Sequence, residues 1–471
     1  MTNSKRKHLL YCLVFGVLLF AGAGFLSSCG EETAVVEGAL KVPEDYATIQ
    51  EAIDAAEDGD VVLVQPGTYV GSINFSGKNI TLRSLDPEDP EVVEQTVIDG
   101  GGVDSVVVFN NGESEGAVLT GFTITGGSGN MEVLEFEIDG EMQEVPSYYG
   151  GGIFIANESN PTITKNVITN NVAERGGGIL IYEATPVITD NHIVDNISTG
   201  GGGGFFIAYA SPTISDNEIS KNSAGRSGGA VAISGGGDNT LLFEGNTISD
   251  NTAENGGGFS IFEAAADIKD NTIINNVASQ SGGGLFLVQS DSRITGNSFT
   301  DNKAGPFGGA IFVNAQSSPV MTENIIIGNE ADAGGGISVY ADSAPIIESN
   351  TISDNQALLG GGILVNEGSN PEINNNEITE NYVERNGAGI FIQNSTAVVT
   401  GNTFRSNEAR RDGGGIYAVS EALVNLAGNI FEDNRASEGG AIHLSEGAAL
   451  ELNSPDDNTY EGNVPNDLYE G

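Results

Sequence analysis

Five arginines, Arg175, Arg226, Arg385, Arg410 and Arg411, each stand just ahead of a run of glycines. A guanidinium offers its N–H groups as a planar fork and grips a carboxylate or sulfate through two bonds at once. Cations that recur at one place in a repeat could therefore hold the uronate or sulfate groups of an acidic polysaccharide; the alternative is scattered surface charge, which contributes little. A second stretch, SGNMEVLEFEIDGEMQEVPSYY at 128–149, carries Glu132, Glu135, Glu137, Asp139, Glu141 and Glu144 and no basic residue. Such acids either solvate an exposed loop or gather on a hard cation such as calcium, which takes several oxygen ligands. Beyond residue 28 the only histidines are His192 and His443. Other repeats carry Thr247, Thr272 or Glu377 at the place of His192, and a general base needs an orienting partner. Both histidines read as ordinary turn or strand residues, and no catalytic residue is assigned.

Composition narrows the partners. Against 18 Lys+Arg the chain has 65 Asp+Glu, a formal charge of −47. That field repels phosphate backbones and anionic lipid headgroups, so nucleic-acid binding is excluded and any membrane contact must come through an anchor. Glycine accounts for 67 of 471 residues and tryptophan is absent, which is unlike an ordinary globular mixture.

The elements that must position these side chains repeat. The pattern N-x-[I/F]-x-x-N begins at Asn166, Asn191, Asn217, Asn246, Asn271, Asn297, Asn324, Asn350, Asn376, Asn402 and Asn429, in steps of 25 to 29 residues. A period that regular signals a solenoid. Within 151–176, GGIFIA, PTIT and VIT each place isoleucine on one face with period two, which gives three short strands per coil of about 26 residues. Pro161, Pro186, Pro212, Pro319, Pro345 and Pro371 open the second strand, where a missing N–H does least harm.

The predicted fold class is all-β: a single right-handed parallel β-helix whose coils stack about 4.8 Å apart. The first Asn of each unit is expected in the bend between second and third strands, tolerating a left-handed backbone and bonding its stacked copies as a ladder. The second Asn turns the chain again, Ala follows two residues later in most units as a small buried corner, and the glycines admit the next coil. Upstream, Thr48 and Glu51 form a capping box for a short helix, with Ile49, Ile53 and Ala56 on one face, and Gly59 ends the run. This helix is expected to cover the N-terminal end. Residues 128–149 are expected to project as a hairpin around Asp139-Gly140.

The first residues carry an address. Lys5, Arg6 and Lys7 precede an apolar run from Leu9 to Leu26, and LSSC follows at 26–29. This resembles a bacterial lipoprotein signal, which implies cleavage before Cys29 and a lipid on its thiol. An uncleaved membrane span is the alternative. The resulting organisation is a signal at 1–28, an anchored linker at 29–42, a cap region at 43–59, the solenoid at 60–454 with its insertion at 128–149, and a polar tail at 455–471.

YATIQEAIDAAEDGDVVLVQPGTY at 46–69 and the coils after it resemble the start of the pectate-lyase-like superfamily. The GGAI at 308–311 and 439–442, with F-x-x-N at Phe299, Phe404 and Phe431, resemble the passenger repeats of chlamydial polymorphic outer-membrane proteins, which are surface adhesins. The resemblance implies the fold. It does not carry a catalytic set, because the stretches of the esterases and polygalacturonases of the superfamily are missing, and the chain has no room for the adhesins' translocating barrel. The expected function is a lipid-anchored protein of the outer membrane or cell surface, its rigid β-helix used for adhesion or display without catalysis. Acidic polysaccharide or another cell surface would be the partner, and no cofactor is called for unless calcium. The alternatives are a polysaccharide lyase, epimerase or esterase, and a periplasmic accessory protein handling carbohydrate or metal.

Overall fold

The computed structural model describes residues 38–138, 140–236, 241–452 and 457–471. Three long parallel sheets run the length of the chain. Sheet 1 holds 15 strands, which within the repeats follow the glycine clusters, such as Ile153–Ile155. Sheet 2 holds 16 that follow the proline position, such as Thr162–Thr164. Sheet 3 holds 15, which within the repeats lie between the two asparagines, such as Val167–Thr169. Each strand pairs with its counterpart one coil away, Ile163 beside Ile188 and Ile168 beside Ile193. This is the predicted parallel β-helix. A short fourth ladder, from Val172–Ala173 to Lys303–Ala304 and again from Gln356–Leu359 to Glu408–Ala409, occupies the stretch expected to be a turn.

The inward residues of the three sheets merge into one buried core. One column in sheet 3 ends in three parallel rings: Phe404 and Phe431 stack at 4.7 Å, and Phe431 and Tyr460 at 5.3 Å. Stacking like on like is forced by the period, since each inward side chain sees its own equivalent above and below.

The asparagine ladder forms at every one of the eleven predicted positions. Asn166, Asn191, Asn217, Asn246, Asn271, Asn297, Asn324, Asn350, Asn376, Asn402 and Asn429 are all buried, and each Nδ2 donates to the Oδ1 of the next, from Asn166 to Asn191 at 3.1 Å down to Asn429 to Asn458 at 3.1 Å. The second asparagines make an equivalent ladder, from Asn171 to Asn196 down to Asn434 to Asn463. The left-handed backbone, however, belongs to the residue before each Asn. Lys165, Asp190, Asp216, Asp270 and Asn375 all have φ near +55°. The reason is geometric: the αL residue swings the chain around the corner, so the next side chain points inward, where only an amide can satisfy the corner carbonyls.

The helix Ile49–Ala55 starts with the expected reciprocal capping box of Thr48 and Glu51 and buries Ile49, Ala52 and Ile53 in the common core. A second helix, Pro90–Gln95, capped by Asp89 with Pro90 in its first turn, was not anticipated. At the other end the solenoid runs past 454. Thr459–Glu461 and Leu468–Glu470 pair with the preceding coil, and Asn458 and Asn463 extend both ladders. The polar composition of this stretch hid a coil whose outward faces are simply more exposed.

Candidate functional site

Two outward columns on sheet 1 and beside it create a lengthwise furrow. The floor is the outward residue four positions after the left-handed glycine of each coil. In order it reads Phe154, Leu180, Phe206, Ala232, Ser260, Phe286, Phe312, Ser338, Leu364, Phe391, Tyr417 and His443. The rim is the residue just before that glycine, and its members bridge from coil to coil, as Tyr149 to Arg175, Gly201 to Ser227 and Asp412 to Glu438 do. Large side chains fill the furrow over most of its length. Phe307, Phe312 and Tyr340 pack ring on ring at 4.7 to 5.6 Å in its middle.

The acidic insertion fills the N-terminal part. Asn130–Ile138 and Glu141–Tyr149 pair as an antiparallel hairpin, but the hairpin lies down against sheet 1 instead of projecting. Phe136 packs on Tyr149, Tyr182, Phe206 and Tyr209. Tyr182 Oη donates to the Glu135 carbonyl at 2.9 Å, and Tyr209 Oη accepts from the Glu137 N–H at 2.6 Å. Burial pushes the Tyr149 and Tyr182 phenols up to about 12, so both remain hydrogen-bond donors at any ordinary pH. The alternation that signalled a hairpin also gave it one apolar face, and that face buries.

The carboxylates consequently do not assemble. Glu135 and Glu144 sit opposite each other across the hairpin and both are exposed, as are Glu137 and Glu141. Among the described residues Glu132, Glu135, Glu137, Glu141 and Glu144 form no group of three with ligand atoms close enough for one ion. Asp139 lies outside the described residues, as does Cys29.

Beyond the hairpin the furrow opens. Gly201 and Ser227 on the rim and Ala232 and Ser260 on the floor are small, and they leave a gap of about 350 Å³ between two aromatic walls. Phe206 closes one end and Phe286 with the exposed Phe262 the other, while Arg175 and Arg226 border the side. The Arg175 guanidinium lies 5.1 Å from the Phe136 ring and 5.3 Å from that of Phe206. These cation–π contacts orient it without consuming its N–H groups. Neither Arg175 nor Arg226 has an ion-pair partner among the described residues.

The other three predicted cations belong elsewhere. Arg410 donates through Nη1 to Glu384 Oε2 at 2.6 Å and lies over Tyr382, while Arg385 and Arg411 follow one another on neighbouring coils. Eight coil steps separate Arg175 from that group, so the five arginines are two sites and not one.

At the C-terminal end of the furrow a second constellation appears that sequence reasoning missed. One ring nitrogen of His443 and one carboxylate oxygen each of Asp412 and Glu438 lie within 4.8 Å of one another. His443 is only 5% exposed, a floor residue stacked between Tyr417 at 5.0 Å and Tyr469 at 4.7 Å. Burial raises the Asp412 carboxyl, and His443 pulls against that rise. The signal was available in the rim column: only here do two successive coils both carry an acid. His192, by contrast, is an exposed strand residue whose Nδ1 lies 3.0 Å from Glu218. It borders a wider depression of about 950 Å³ beside the Pro90–Gln95 helix. The cation there, Lys165, is already paired with Glu88.

With the geometry in place, comparisons with known proteins fix the class. The family described as the right-handed β-helix region matches residues 91–244, 226–344 and 308–464, and the chain belongs to that family. No curated protein matches the sequence. Among solved structures, the chain is similar to the siphovirus 9NA tailspike receptor-binding domain, at 14% identity over 87% of this chain and 76% of that one, with a TM-score of 0.36. It is also similar to the PL6 family alginate lyase AlyGC, at 10% identity over 92% and 100%, with a TM-score of 0.29.

Proposed function

We propose that the protein is a non-catalytic glycan binder that takes an acidic sugar into the gap between Phe206 and Phe286. The observation that carries this reading is the coincidence of two arginines that make no ion pair among the described residues and three aromatic rings around one opening of about 350 Å³. Rings stack on the apolar faces of sugars, and a guanidinium fork fits a carboxylate or sulfate. The test is calorimetric titration of the protein with uronate and sulfated oligosaccharides chosen from a glycan array. Arg175→Ala is expected to weaken binding about ten- to hundredfold, the range of a charged hydrogen-bonded pair. Ala232→Phe would fill the gap as its floor neighbours do, abolishing binding with the melting temperature kept. Undiminished binding by both variants would overturn the proposal.

From the LSSC at 26–29 we further propose that the molecule sits on the cell surface or outer membrane, held by a lipid on Cys29. Mass spectrometry of the membrane fraction should find a chain lacking residues 1–28, and Cys29→Ser should abolish cleavage and retention. A second reading, a polysaccharide-cleaving enzyme, is favoured by the grouping of Arg411, Asp412, Glu438 and His443 on adjacent coils. Catalysis requires an acid, a base and a charge-stabilising group to converge on one bond. Release of unsaturated or reducing ends from an acidic polysaccharide, lost in His443→Phe, would establish it over simple binding.

A further inference from the structure

The rim and floor columns vary freely along the solenoid, which makes their composition at the C-terminal end informative. The rim residues Asp412 and Glu438 bridge directly from one coil to the next. Two carboxylates stacked at the coil spacing repel each other unless a cation lies between them. Arg411, next to Asp412 in the chain, makes no ion pair with either acid among the described residues. At the same level the floor carries His443 where Leu364, Phe391 and Tyr417 stand in the coils before it. A phenyl ring would complete the stack between Tyr417 and Tyr469 at no polar cost. The imidazole instead leaves a buried Nδ1 that meets no hydrogen-bond partner among the described residues, and an unpaired buried polar atom is destabilising.

From these two independent features, the acid pair and the orphaned imidazole, we propose that Asp412, Glu438 and His443 bind one divalent cation of the borderline class, such as Zn²⁺. The donor set of one ring nitrogen and two carboxylate oxygens suits such an ion, whereas calcium and magnesium take oxygen alone. The three ligand atoms already lie within 4.8 Å of one another. Donors at roughly 2.1 Å from a tetrahedral ion stand about 3.4 Å apart, so the side chains need close by at most about 1.4 Å. Glu438 is exposed and can rotate, while His443 is fixed by its two stacked neighbours. The ion would clamp the last two coils of the furrow together. This site is independent of the glycan gap, which lies in the N-terminal half of the furrow, between Phe206 and Phe286.

Equilibrium dialysis of the full chain against Zn²⁺, Mn²⁺ or Ca²⁺ singly, with bound metal counted by mass spectrometry, tests it. So acidic a protein collects cations weakly everywhere, so the measured quantity is the difference between variants. The wild-type chain is expected to hold one more Zn²⁺ per molecule than His443→Phe, with affinity at the site falling more than about tenfold. Glu132→Gln, which removes an exposed hairpin acid, should change nothing. His443→Phe should fold, since phenylalanine occupies the equivalent position at Phe391. If it does not, Glu438→Gln alters an exposed side chain and should show the same loss. With Co²⁺ in place of Zn²⁺, a visible absorption band of nitrogen and oxygen ligation should appear in wild type and vanish in the variants. Equal metal in wild type and His443→Phe overturns the proposal, as does a site that prefers Ca²⁺ and ignores the histidine.

Discussion

Asn276 sits mid-ladder, and its amide is fully committed. Nδ2 donates to Asn302 Oδ1 at 3.0 Å and to the Ile248 carbonyl at 2.9 Å, while Oδ1 accepts from the Asn251 N–H and Nδ2 at 3.1 and 3.0 Å. Its neighbour Asn275 has φ of +57° and turns the corner. Two adjacent asparagines thus do opposite jobs. Replacing Asn276 by Ala strands several buried donors and acceptors at about 1–3 kcal/mol each, so a loss of several kcal/mol is expected. Asn275→Gly should be nearly neutral, because glycine adopts a left-handed backbone without a Cβ penalty. Urea unfolding of the two variants separates them, and equal midpoints would disprove the division of labour. The period made the ladder legible in the sequence. Which of two adjacent residues takes the left-handed turn was not, because Asn tolerates that conformation too and the choice follows from where the core carbonyls lie.

At the scale of the element, the hairpin of 130–149 shows how burial overrides a composition argument. Six acids on one segment suggested a loop standing in water, yet Phe136 is only 4% exposed. The alternation that puts glutamates outward also puts Leu134 and Phe136 against Tyr182, Phe206 and Tyr209. The strands and the turn were legible but not the surface they rest on, because that surface is built by residues such as Tyr182 and Tyr209, 46 and 73 positions downstream of Phe136. Phe136→Ala should unseat the hairpin, with a local cost of roughly 3 kcal/mol. The solenoid core does not include the hairpin, so the main melting transition should hardly move. Limited proteolysis near Gly140 is the readout. Cleavage should quicken severalfold, and an unchanged rate would mean that the hairpin is held by its backbone bonds to the tyrosines alone. The candidate sites were half legible for the same reason. Arg175 and Arg226 stood out as rare cations, but the gap beside them is made by small residues at Gly201, Ala232 and Ser260. A site made of absences shows only when the rim and floor columns are compared coil by coil.

For the molecule as a whole, a net charge of −47 must act on any charged ligand before a contact forms. The field of the solenoid repels an acidic oligosaccharide at long range, while Arg175 and Arg226 attract it only within the gap. These two terms respond differently to salt. The screening length falls from about 30 Å at 0.01 M to about 10 Å at 0.1 M, so distant acids are silenced first and the local guanidinium pairs persist. Binding of an acidic oligosaccharide is therefore expected to strengthen severalfold as salt rises through that interval, chiefly through faster association, and to weaken again at high salt. A neutral oligosaccharide should show no such rise. Stopped-flow association rates across a salt series, compared between the wild-type chain and Arg175→Ala, distinguish the terms. The variant should keep the early rise while losing the pairing that resists dissociation. A rate that falls steadily from the lowest salt would mean that the two arginines dominate the field at the furrow mouth, and that the acidic surface plays no part in excluding other anions.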